Sequence, residues 1–317
     1  MHPVVDNDGV IEELLTRMAA LLESLQAAGD QRRYFHATYQ RTTIAVADRL
    51  AGGGFNDPRW VERWDVAFAD LYLDALQAAL AGRRPPRPWE AAFSAPTTLP
   101  PVRHVLLGMN AHINYDLPLA LLAVISDEEF ADPALLARRE SDHRAIDDVL
   151  ASRVGAEGDE LASVSGPGSS LDRLLAPLSR RATRRFLREA RQKVWANAIA
   201  LSAARARGPE AYESARDQLA ELSAAKVTAL QAPGQVLLKL AVTGFGVRLR
   251  YLTGCICLLT AISTDERVLY GQWVEFLYLP GAGGTRAQRE VDRAGGWRGR
   301  AGGGRGRRRR AGRIGRD

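Results

Sequence analysis

The chain has 317 residues, of which 46% are hydrophobic and 25% charged, a composition that places it among globular proteins with one large domain or two smaller ones. The net charge of +6 is a property of the C-terminal end. From Thr285 to Asp317 twelve arginines face three acidic residues, a balance of +9 that leaves residues 1–284 at −3. The folded part therefore lacks the electrostatic footprint of a nucleic-acid binder. Cys255 and Cys257, the two cysteines, are too few for a disulfide framework, and C-x-C lacks the four ligands of a structural zinc site.

The acidic start, Met1-His-Pro-Val-Val-Asp-Asn-Asp, has no basic region leading into an apolar run, so a cytoplasmic protein is expected. Residues 10–28 place apolar groups at helical spacing, with Asp8 as a candidate cap and Gly29 as the stop. A second helix is expected over 30–50, ended by Gly52-Gly-Gly. A third starts at Asp57-Pro58, with Asp at N-cap and Pro at N1, and runs to about Leu80, before Gly82. The proline-rich stretch from Arg83 to Pro101 forbids a continuous helix and leaves room for a short one around Trp89. Further helices are expected over 102–125 and, after the capping candidate Asp132, over 133–154. Residues 155–169 read as a mobile loop. Helical patterns resume at 170–178, 180–207, 209–230 and 235–264, the last weakened by Gly244, Gly246 and Gly254. After Pro280 the composition is Gly/Arg low complexity, for which disorder is expected. The reading is a single all-α domain over residues 8–280, with a disordered basic tail over 281–317. Alternating β and α segments are absent, which argues against a doubly wound fold.

The segment Val105–Leu122 sets four polar groups, Asn110, His112, Asn114 and Asp116, inside an apolar run. Charge and amides are costly in lipid, so a buried core helix is favoured over a membrane span. On a helix, His112 and Asp116 share one face at i,i+4, and Asn110 and Asn114 share another. Pro118 predicts a kink, because it removes a hydrogen bond and crowds the carbonyl of Asn114. The alternation in Asn110–Asp116 also fits a half-buried strand, and the flanking Leu/Ala/Met runs favour helix. His112 and Asp116 are thus candidate catalytic residues or metal ligands, since imidazole and carboxylate converge from one face. The alternative is a hydrogen-bonded pair that only satisfies buried polar atoms.

Other residues could converge on this point. His36, Tyr39, Gln40 and Thr43 form a polar stripe on the second helix, either a solvated face or the wall of a site. Trp64, Phe68 and Tyr72, with Trp60, form an aromatic stripe on the third, either core or the lining of an apolar pocket. Asp65 and Asp70 lie on other faces of that helix. His104 stands two turns before His112. His143 and Asp147 repeat the His-x3-Asp spacing in a charged segment and read as a solvated face. No phosphate loop, dinucleotide fingerprint, nucleophile elbow or His-Glu-x-x-His motif occurs.

The set Tyr34-Phe-His-Ala-Thr-Tyr-Gln-Arg-Thr-Thr, Trp64-Asp-Val-Ala-Phe-Ala-Asp-Leu-Tyr, Trp89-Glu-Ala-Ala-Phe and Leu106-Leu-Gly-Met-Asn-Ala-His-Ile-Asn-Tyr-Asp-Leu-Pro resembles a mainly actinobacterial family of unknown function. The resemblance covers roughly residues 10–260, is most specific at Asn-Ala-His-Ile-Asn-x-Asp-Leu, and implies a single helical domain without an assigned activity. A weaker similarity is to zinc-dependent phospholipase C, helical enzymes that gather His and Asp ligands. His36, Asp65, His112 and Asp116 come in a comparable order, but the N-terminal ligand and the remaining histidines of that family are missing.

Three functions follow as expectations. The first is a metal-dependent, hydrolase-like enzyme on a small apolar or lipid-type substrate, with His112, Asp116 and His36 around a divalent metal such as zinc and Asn110, Asn114, Tyr39, Trp64 and Phe68 lining the site. It requires His36 and His112 close together at an open cavity. The second is a non-catalytic helical protein that binds an apolar small molecule and tolerates loss of His112. The third is a structural Asn/His/Asp network with no cavity. The sequence leaves the oligomeric state open.

Overall fold

A computed structural model describes residues 9–165, 170–232 and 244–249. Among them the regular structure is helical and no strand occurs. The helices are α1 (Val10–Ala27), α2 (Arg33–Ala51), α3 (Pro58–Leu80), α4 (Arg87–Phe93), α5 (Pro101–Ala111), a π-helical turn (His112–Asp116), α6 (Leu117–Val124), α7 (Asp127–Ala131), α8 (Pro133–Ser165), α9 (Ser170–Ala206) and α10 (Pro209–Gln231). They belong to one compact unit within Met1–Leu252.

The helix ends follow from local chemistry. The Asp57 carboxylate accepts from the backbone N–H of Trp60 at 3.1 Å, with Pro58 at the first helical position. Asp132 accepts from the N–H groups of Ala134 and Leu135, at 2.8 and 3.2 Å. Gly29, Gly53 and Gly82 follow the ends of α1, α2 and α3 with φ of 64°, 71° and 69°, the left-handed conformation that a Cβ disfavours. The short α7, not anticipated from sequence, is held by a capping box between Ser126 and Glu129.

Three expectations are corrected. The loop placed at 155–169 is helical as far as Ser165, because α8 continues through Gly155 and Gly158. Glycine costs a helix interior only about 1 kcal/mol, which neighbouring Ala, Glu and Leu offset. The two helices expected at 170–178 and 180–207 are one, α9, which runs through Pro177. Residues 244–249, placed inside a helix over 235–264, are non-helical. Gly244 there has a φ of 67°, which a right-handed helix does not accommodate. The remainder of that helix, both cysteines and the tail over 281–317 lie outside the described residues.

At the centre, α5, the π turn and α6 form one continuous helical rod. Helix α2 packs on α5, α3 and α9 pack on α6, and α10 crosses α4 and α5. Leu107, Ala111, Leu117, Ala120 and Leu121 along the rod are fully buried, as expected of a helix that is apolar on all sides. Around it stand Trp60, Trp64 and Tyr72 of α3, Trp89 of α4, Phe35 of α2 and Met18 of α1. Gly108 lets α2 approach, since a Cβ there would sit 2.3 Å from Cγ of Phe35. No described helix is long and apolar enough to cross a membrane.

Candidate functional site

The π turn has a chemical cause. In an α-helix the carbonyl of Asn114 would accept from residue 118, but Pro118 has no N–H and its ring would crowd that carbonyl. The backbone widens, and Leu117 N–H reaches back five residues to the carbonyl of His112. The widened turn keeps His112 and Asp116 within reach of each other, with Nδ1 of His112 2.9 Å from Oδ2 of Asp116. Trp89 Nε1–H donates to the same carboxylate oxygen at 2.8 Å.

The pair is sealed, with His112 3% and Asp116 1% exposed. Phe68 stacks on the His112 ring at 3.6 Å and 4°, and Tyr39 stands edge-on to it at 4.4 Å. Phe35, Tyr72 and Trp89 complete the enclosure. Burial pushes the imidazole well below its ordinary pKa. It pushes the Asp116 carboxyl well above the carboxylate range, with the Trp89 hydrogen bond opposing it. One proton bridges Nδ1 of His112 and Oδ2 of Asp116, and Nε2 of His112 has no hydrogen-bond partner.

His36, the third candidate ligand, is engaged elsewhere. Its Nε2 lies 2.8 Å from the carbonyl of Met18, which can only accept, so Nε2 carries the proton. Nδ1 then accepts from the Tyr72 hydroxyl at 2.9 Å. Both nitrogens are used, and the Tyr72 ring contacts both His36 and His112. Among the described residues no group of three or more His, Cys, Asp or Glu side chains is arranged to hold a metal ion. These residues do not fit a three-ligand metal centre. The polar stripe of α2 is not a solvated face, since His36, Tyr39 and Thr43 are buried and Gln40 is half-buried.

Asn110 and Asn114 face the other way and hold a peptide segment. Both donate from Nδ2 to the carbonyl of Phe245 at 3.1 Å. Oδ1 of Asn114 accepts from Val247 N–H at 3.0 Å. Asn197 of α9 repeats the pattern two residues on, donating to the carbonyl of Val247 at 3.0 Å and accepting from Leu249 N–H at 2.9 Å.

A cleft of about 390 Å³ lies on the far side of the aromatic enclosure. Asp30, Gln31 and Arg32 of the α1–α2 turn, Phe35, Trp89 and Phe93, and Thr97, His104 and Gly108 are among its lining residues. Arg32 forks onto Asp30 and lies 5.6 Å over the Phe93 ring. Phe35 and Trp89 are shared, lining the cleft on one side and contacting His112 on the other.

A family of unknown function, DUF5995, matches residues 11–233. The chain belongs to this family. No curated protein and no solved structure matches the chain. The DUF5995 match includes the His112–Asp116 pair, all three asparagines and the whole cleft lining, and ends before the segment those asparagines hold.

Within the DUF5995 region, several residues carry more than their sequence pattern announced. Trp89 and Phe35 are the hinge between pair and cleft, and only their place in the recognised strings set them apart. His104 lines the cleft and is 8% exposed. Asp65 is 8% exposed, its Oδ2 has no partner, and burial raises its pKa to about 7. His143, expected on a solvated face, is 2% exposed and lies between Trp64 and Trp195 at 5.4 and 5.2 Å. Asp147, half-buried, pairs with Arg191 of α9 at 2.6 Å, so the face of the segment that carries His143 turns inward and takes its countercharge from another helix. Of the α3 stripe, Trp64 and Tyr72 are core and Phe68 is half-buried against His112.

Proposed function

We propose that this DUF5995 protein is a non-catalytic binding protein for a small, partly apolar molecule, seated in the cleft between the α1–α2 turn, α4 and α5. The observation that carries the reading is the cleft itself: about 390 Å³, within the range of small-molecule sites, with aromatic walls and a few polar groups at its edge. Phe35, Trp89 and Phe93 would take an apolar or aromatic body. Asp30, Gln31, Arg32 and Thr97 would meet its polar end. The buried pair behind the wall then has a supporting role, because Asp116 fixes the Trp89 indole through its N–H.

The test uses 1-anilinonaphthalene-8-sulfonate and decanoate as probes, followed by calorimetry and by quenching of tryptophan emission. Saturable binding is expected in wild type. Thr97→Trp, at an exposed lining position, should block it with the fold intact. Folded His112→Ala should keep its affinity within about threefold, as expected of a group that does not touch the ligand. No binding of either probe to wild type would overturn the reading.

A second reading keeps His112 and Asp116 as catalytic residues. It is favoured by Nε2 of His112, buried and unpartnered while Asp116 orients Nδ1, the arrangement of a positioned general base. Its metal-dependent form is tested by elemental mass spectrometry on full-length, untagged wild type and His112→Ala. Stoichiometric zinc lost in a folded mutant would establish it, and metal-free wild type would remove it.

A further inference from the structure

The three buried asparagines do something that neither the cleft nor the His–Asp pair requires. Asn110, Asn114 and Asn197 are each no more than 1% exposed. Their amide groups make five hydrogen bonds at 2.9–3.1 Å to backbone atoms of residues 245–249, and none to its side chains. Asn114 and Asn197 each present Oδ1 to one N–H and Nδ2 to the carbonyl two residues earlier. An asparagine amide has the donor–acceptor pair of a peptide group, so two of them spaced along α5–α6 and α9 take the place of a neighbouring β-strand. The grip repeats every second residue, the period of an extended chain.

The segment is built to match. Phe245, Val247 and Leu249 are buried, whereas Arg248 is exposed. Gly246 lies against α9, where a Cβ would sit 2.8 Å from Cα of Ala190. Val247 and Leu249 join Leu122, Leu201 and Leu219 in a small apolar cluster separate from the main core. The groove lies wholly within the family region, residues 11–233, and its occupant lies outside it.

We propose that Asn110, Asn114 and Asn197 form a peptide-binding groove that reads an extended main chain, and that residues 244–249 occupy it as an intramolecular ligand replaceable by a second peptide of the same pattern. The ligand class is an extended peptide with apolar residues at alternate positions and a glycine between the first two. Side chains at the Arg248 position are not read. Tethering gives the internal segment an effective concentration in the millimolar range, so a free peptide competes only when the internal one is weakened.

The experiment uses the full-length chain carrying Gly246→Val, whose side chain has no room against Ala190, and a fluorescein-labelled peptide of residues 243–250. Anisotropy should show saturable binding to the variant, at least about tenfold tighter than to wild type, where the tethered segment competes. N-methylation of the peptide at Val247 and Leu249 removes the two donors and should weaken binding by about tenfold or more. Arg248→Glu in the peptide should change it by less than about threefold, as an exposed position allows. Absence of binding by a variant with wild-type circular dichroism overturns the proposal, as does equal binding of the N-methylated peptide. Should Gly246→Val fail to fold, amide exchange on wild type decides: Val247 and Leu249 slow beside a fast Arg248 supports main-chain reading, and uniform exchange along 245–249 overturns it.

Discussion

Two faces of one helical rod carry the same spacing and behave differently. His112 and Asp116 turn inward and are closed in by five aromatic rings. Asn110 and Asn114, also four residues apart, hold backbone from outside the family region. The difference lies in what each side chain can offer. Imidazole and carboxylate bond each other, with the Trp89 N–H added, so the inward face leaves only Nε2 of His112 without a partner. An amide carries donor and acceptor together, and Asn114 spends both on a peptide backbone, whereas Asn110 spends only its donor there and its Oδ1 has no partner.

That contrast can be broken from either side. The largest effect is expected for Asp116→Ala, which leaves Nδ1 of His112 and the Trp89 N–H without their partner in the core. It should cost about 3–5 kcal/mol in urea denaturation, and a loss below about 1 kcal/mol would mean that water or repacking replaces the carboxylate.

Next comes Asp65, which acts on Tyr39 beside the inward face. Its folded pKa, raised to about 7 from 3.8, means that the native state binds the proton more tightly than the unfolded chain. Stability from this group is full below about pH 4, falls as pH rises from about 4 to 7, and stays low above. Asp65→Asn should therefore stabilise the protein by roughly 2–4 kcal/mol at pH 8 and by almost nothing at pH 4. A difference that grows toward acid would reverse the assignment.

The outward face should respond more locally. Asn114→Ala is expected to cost about 1–3 kcal/mol and to abolish protection of the Val247 amide while sparing Leu249, read by hydrogen exchange. Joint loss of both would show that the two asparagines act as one unit. The smallest effect is expected for Arg17→Ala. It removes a pair with Asp70 at 2.9 Å in which both side chains are about 40% exposed, and should change stability by less than about 0.5 kcal/mol.

Much of the scaffold was legible because its signals are local. Gly29, Gly53 and Gly82 mark helix ends by their own backbone geometry, and Asp57 and Asp132 cap with their own side chains. The His112–Asp116 contact follows from spacing alone. What escaped depends on distant partners. His36 could be read as solvated or as site-forming because Met18 and Tyr72, which satisfy it, come from two other helices. His143 looked exposed because Trp195 lies far along the chain. Among the described residues, 244–249 have no strand neighbour, so nothing near them in sequence announced that asparagines on two helices would take its place. The aromatic stripe on α3 was recognised, but the cleft opens instead beside Phe35 and Trp89, since α4 delivers Trp89 to the space between α2 and α5.

The π turn has one further consequence, for insertions and deletions. It contains one residue more than an α-turn needs, and that residue keeps both polar faces pointing at their separate partners. Deleting Ile113 would turn the π turn into an ordinary α-turn and leave α6 close to its present phase, but would shorten both four-residue intervals, 112–116 and 110–114, to three. An equally short deletion in the Gly52–Gly54 linker would shorten a connection and leave every helix in phase. The extra residue thus serves the two polar pairs, His112 with Asp116 and Asn110 with Asn114, and not the phase of the helices on either side of it.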